Sequence, residues 1–221
     1  MRVMFPMAVA LAAVGAFGQD IVKLTPEYVK VVFENDRVRV LHFNEPGHTK
    51  LPMHSHSAYV AVGFTNDHSK YTFPDGKSSV ERTKANQVTY SKNVTHASED
   101  LSGAASETVM VELKGPGAAA SKTTLDPVKL DPKHYKVVID NDEVRVLRAS
   151  YGPHEKSVMH EHPASVAVSI SDYHIKMTLA DGTSQDVVSK AREATWADAG
   201  KHLPENLGDK PVEVIVIELK K

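Results

Sequence analysis

Met53-His54-Ser55-His56 is repeated as Met159-His160-Glu161-His162. Residues i and i+2 of a β-strand point to the same face, about 6.6–7 Å apart along the strand. Two imidazoles so placed can reach one ion at metal–nitrogen distances of about 2.0–2.1 Å. In each half a third histidine, His96 or His202, stands 40 residues after the pair. A lone histidine on a strand is more often an ordinary surface or core residue. A pair, a third histidine at constant spacing and a second copy of all three together point to metal. The ligands expected are His54, His56 and His96, and again His160, His162 and His202.

Working outward, an offset of 106 residues carries the first half onto the second without a gap. KVVFENDRVRVL (30–41) lands on KVVIDNDEVRVL (136–147), and VELK (111–114) on IELK (217–220). A repeat of this length is one folding unit used twice. The pattern within a unit is β: short apolar runs are separated by turn-forming clusters such as Glu34-Asn35-Asp36 and Pro74-Asp75-Gly76. Lys190–Ala197 alone could be argued as helical, but it aligns with Lys84–Ser91, whose Val88-Thr89-Tyr90 favours strand. Many short strands suit a sandwich or closed barrel. The expected division is a leader at 1–18, a first domain at 19–114, a linker at 115–125 and a second domain at 126–221.

The leader MRVMFPMAVALAAVGAFG has one basic residue, an apolar run and small residues before Gln19. It reads as a signal peptide, too short and weakly flanked to span a membrane. Export to the periplasm or beyond the cell is therefore expected, with no membrane partner after cleavage. Net charge is −2, so neither half offers a basic stripe for nucleic acid. The absence of cysteine excludes disulfides, thiolate zinc sites and a cysteine nucleophile.

Each half resembles a cupin, a small jelly-roll barrel in which an early HxH pair meets a later histidine. GHTKLPMHSH and GPHEKSVMHEH resemble the first cupin motif, and WADAGKHLPENLGDKPVEVIVIELK the second. The resemblance covers most of the chain and implies an all-β, two-domain bicupin whose edge strands could pair in a homodimer. It also implies a glutamate separated from the pair by three or four residues. Val60 and Ala61 stand there in the first half, Val166 and Ala167 in the second. Three neutral imidazoles leave a divalent ion its full charge and several open positions. Iron, zinc, manganese, nickel and copper all remain compatible. Two functions follow: a metal-dependent dioxygenase of a small anionic substrate, or a non-catalytic cupin that holds a metal or small ligand. Ligating imidazoles must be neutral, so metal affinity is expected to weaken as pH falls through about 6.5.

Four other recurring residues are candidates for the surroundings of the ion. Glu99 and Glu205 follow the third histidine by three positions. They either orient an imidazole N–H or sit solvated on a loop. His48 and His154 lie six residues before the first ligand, either at the barrel mouth or exposed on a loop. Met53, Met159, Tyr90 and Trp196 are expected in the core.

Overall fold

The computed structural model describes residues 19–115 and 123–220. The proposed leader and most of the proposed linker lie outside the described residues. A helical turn, α1 (Ile21–Leu24), opens the first half. Asp20 caps it by accepting from the Val22 amide at 3.1 Å, and the Arg39 guanidinium holds the same carboxylate at 3.0 Å. Nine strands follow: β1 (Val29–Glu34), β2 (Val38–Glu45), β3 (Lys50–His56), β4 (Tyr59–Gly63), β5 (Asp67–Thr72), β6 (Ser78–Thr83), β7 (Val88–Ser91), β8 (Val94–Asp100) and β9 (Ser106–Leu113). The second half repeats the order. It has α2 (Pro127–Leu130), β10 (Tyr135–Asp140), β11 (Val144–Tyr151), β12 (His160–His162), β13 (Ser165–Ser169), β14 (Tyr173–Leu179), β15 (Ser184–Ser189), β16 (Ala194–Ala197), β17 (Gly200–Asn206) and β18 (Val212–Leu219).

In each half a five-stranded antiparallel sheet faces a four-stranded one. The first half orders them β1-β2-β9-β4-β7 and β3-β8-β5-β6; the second uses β10-β11-β18-β13-β16 and β12-β17-β14-β15. The first hairpin is set by Asn35, whose side-chain oxygen accepts from the Arg37 and Val38 amides at 2.8 and 2.9 Å. Asn141 makes the same turn in the copy. The segment 190–197 contains strand β16, as its alignment predicts.

Strand alternation divides the core in two senses. Leu41, Phe43, Leu51 and Met110 point into the first barrel; Tyr135, Leu147, Tyr151 and Val214 belong to the corresponding cluster of the second. The alternate residues form one further cluster that joins the halves: Val38, Val40, Val60, Val62, Val109 and Val111 with Val144, Val146, Val166, Val168, Ile215 and Ile217. All twelve are fully buried, each worth about 1.5–3 kcal/mol in burial alone. Tyr90 and Trp196 sit half-buried at the margin of this shared core rather than inside it. Met53 and Met159 are also half-buried.

Candidate metal centres

Strands β3 and β8 run antiparallel with His54 directly opposite His96, and His56 lies two residues along on the same face. A register shift between Leu51 and His54 precedes the pair. The three rings meet inside the first barrel, with centroids 4.7, 4.7 and 5.6 Å apart. One nitrogen from each ring lies within 4.8 Å of the others. Two rings are oriented from behind: His54 Nδ1 pairs with the Pro52 carbonyl at 2.7 Å, and His56 Nδ1 with Glu112 Oε1 at 2.6 Å. Bonds of this kind leave Nε2 as the free lone pair and fix its direction. Burial, with a smaller contribution from neighbouring imidazoles, lowers His54 to about 4 and His96 to about 3. These rings are therefore neutral at pH 7, the form a metal requires. For His54 and His96 the titration expected near about 6.5 from free histidine is displaced downward, because these side chains are desolvated.

His160, His162 and His202 repeat the arrangement on β12 and β17, His160 opposite His202. Their centroids are 4.7–5.2 Å apart, and their donor nitrogens again lie within 4.8 Å. His160 Nδ1 pairs with the Val158 carbonyl at 2.8 Å and His162 Nδ1 with Glu218 Oε1 at 2.7 Å. Burial lowers His160 to about 4 and His202 to about 3. One feature is new. The Tyr135 hydroxyl lies 2.9 Å from His160 Nε2, and the Tyr151 hydroxyl donates to the Tyr135 oxygen at 2.5 Å. The first-half counterparts of these tyrosines are Val29 and Glu45.

Above the first trio is a cavity of about 310 Å³. Tyr59, Tyr71, Phe43 and Met110 supply apolar wall, and Glu45, Asp67, Glu81 and Asp100 supply carboxylates. No lysine or arginine lines it among the described residues. Asp100 stays ionised: burial pushes it up, but the Ser102 hydroxyl and the His48, Ser102 and Gly103 amides hold it at about 2. Glu45 behaves oppositely. Burial, then the charges of Asp67 and Asp100, push it up to about 7.

No protein-family profile and no curated protein matches the chain. Solved structures do. AerE from Microcystis aeruginosa aligns with a TM-score of 0.65 at 9% identity, covering 88% of this chain and 93% of that one. A cupin 2 conserved barrel domain protein from Leptotrichia buccalis gives 0.54 at 9% identity over 87% and 88% of the two chains. The chain carries the cupin fold in duplicate. Oxalate decarboxylase from Bacillus subtilis aligns with both cupin units at a TM-score of 0.60 and 14% identity, covering 90% of this chain and 70% of that one. That enzyme has Mn(II) centres.

Within the two cupin barrels the six predicted histidines come together as two trios. The flanking candidates do not join them. Glu99 is bound to Lys50 at 2.7 Å and Glu205 faces Lys156 at 3.8 Å, so both are engaged by surface lysines rather than by the imidazoles. His48 and His154 occupy left-handed turns, φ 63° and 57°, and the His154 ring pairs with exposed Asp209. The carboxylates that do orient imidazoles are Glu112 and Glu218, which sequence reasoning passed over. The available signal was a glutamate recurring inside two apolar strands, VMVEL and VIVIEL, where a buried charge needs a partner. The missing cupin glutamate is missing in fact. Val60 and Val166 point into the core between barrels, while Ala61 lines the cavity without a polar atom.

Proposed function

We propose that the chain is a metal-dependent bicupin whose working site is the first barrel. The observation that carries this is the convergence of His54, His56 and His96, with Nε2 of His54 and His56 left free by their Nδ1 bonds, beneath an accessible cavity. The donor set fits a divalent transition ion: three neutral nitrogens leave positions for a chelating ligand. Bound there, such an ion would act as a Lewis acid and a template for small-molecule substrate and dioxygen. Manganese is one candidate, by analogy with the oxalate decarboxylase centres. The chain's own residues then sort the substrate. With four carboxylates and no cationic side chain on the wall, only the ion attracts negative charge. The small anion that fits carries its charge at the chelating end, and its remainder is neutral or cationic. Tyr59 and Tyr71 pack beside the histidine rings and exclude water from that end. Glu45, poised near neutrality in the same cavity, can take or give a proton at a bound ligand.

Metal analysis tests the centre. His54→Ala should lose the first-barrel equivalent, His160→Ala the second, and the double variant both; unchanged content in all three rejects the assignment. Dioxygen uptake by iron(II)- or manganese-loaded protein with a panel of chelating hydroxy-ketones and catechols tests turnover. Binding without uptake across the panel would leave the non-catalytic ligand-binding cupin as the function. Export forms part of the same proposal. Mass spectrometry of the mature chain should place its N-terminus near Gln19, and an intact Met1 on protein recovered outside the cytoplasm would reject cleavage.

A further inference from the structure

The second trio differs from the first by a phenol oxygen within hydrogen-bond distance of one of its ring nitrogens. Two donors bound to one ion at about 2.1 Å lie about 3.0 Å apart at right angles and about 3.4 Å apart at the tetrahedral angle. Tyr135 Oη is 2.9 Å from His160 Nε2, the spacing of neighbouring ligands. The phenol ring packs against both His160 and His162, with centroids 4.9 and 5.8 Å away, and Tyr135 is 2% exposed. Its oxygen is held from the far side by the Tyr151 hydroxyl at 2.5 Å. Tyr151 is itself stacked on His134 at 4.6 Å, and Asp131 and Glu155 clamp His134 at 2.7 and 3.0 Å. Val29, Glu45 and Tyr28 stand at the places of Tyr135, Tyr151 and His134 in the first barrel, so that support exists only in the second.

We propose that Tyr135 is the fourth ligand of the second centre, which makes it a three-histidine, one-phenolate site for an oxygen-seeking ion such as iron(III). This rests on His160, His162 and His202 being ligands. In the ion-free chain His160 Nδ1 is tied to the Val158 carbonyl, so the phenol O–H donates to the Nε2 lone pair. On ion binding the O–H bond breaks, an oxygen–metal bond forms and the proton leaves to solvent; the ion's oxidation state does not change. The phenolate supplies the one negative charge that the absent cupin glutamate would have brought. Tyrosinate is an established iron ligand in other settings.

The test uses full-length His54→Ala protein, in which only the second trio is intact, loaded with iron(III). A phenolate-to-iron charge-transfer band in the visible should appear and be lost in His54→Ala/Tyr135→Phe, which deletes the hydroxyl alone. If that variant folds poorly, Tyr135→Val/Ala149→Phe in the same background removes the phenol while keeping the packing volume used by the first barrel, and should be equally colourless. Iron bound one per chain without the band, or a band surviving either variant, overturns the role of Tyr135. Iron absent from His54→Ala protein by elemental analysis overturns the metal reading of this barrel and the proposal with it.

Discussion

The two barrels share their frame and differ in their contents. Both have an aspartate-capped entry turn, an asparagine-set hairpin, a carboxylate behind the second histidine, and a trio made by two antiparallel strands. Inside, a cross-strand pair is exchanged in size. Val29 faces Phe43 in the first barrel, whereas Tyr135 faces Ala149 in the second. The small-for-large swap keeps the packing filled and puts a phenol beside His160 at the position where the first barrel has the aliphatic Val29. Glu45 and Tyr151 continue the division, one as a proton-carrying cavity group, the other as the brace of Tyr135. The first trio lies beneath a cavity, and the second has a tyrosine hydroxyl against one of its rings.

The largest expected difference is access. Cobalt(II)-loaded His160→Ala protein, with only the first trio, should change its visible spectrum when azide is added; His54→Ala protein, with only the second, should not. Adding Tyr135→Val/Ala149→Phe to the latter should restore the response. Equal responses from the two barrels would erase the contrast. The second difference is electrostatic. Glu45, raised from 4.5 to about 7 mainly by burial, contributes stability that is complete below about pH 4.5 and lost as pH rises through about 7. Glu45→Gln should therefore gain on the parent over that window, by on the order of 3 kcal/mol at the top of it, read by urea denaturation. A parallel pair of stability–pH curves would remove Glu45 from the comparison.

Smaller effects should fall equally on both barrels. Glu112→Gln and Glu218→Gln each loosen the imidazole they orient and should weaken metal binding about 10–100-fold, by competition with a chelator. A loss in one barrel alone would show that the shared frame is not equivalent. Asp20→Ala and Asp126→Ala remove matching helix caps and should each cost about 1 kcal/mol in thermal or urea unfolding.

The six histidines and the β character were legible because both depend on local spacing: period 2 along a strand, and a repeat that preserves it. Glu112 was harder to read. Its partner His56 is 56 residues away, and only the pairing of distant strands brings them together. Glu99 misled for the complementary reason: it is close to His96 in sequence, but odd separation along β8 sends it to the opposite face. The valines of Val38-Arg39-Val40 and Val60-Ala61-Val62 announced buried faces without saying what covered them. The repeat, the strands and the residues able to bind metal can be read along one chain, since they follow from local chemistry and periodicity. That the barrels press valine faces together, that one trio lies beneath a cavity and that the other meets a tyrosine emerges only on folding. Those outcomes depend on which side chains from remote strands arrive in the same few ångströms.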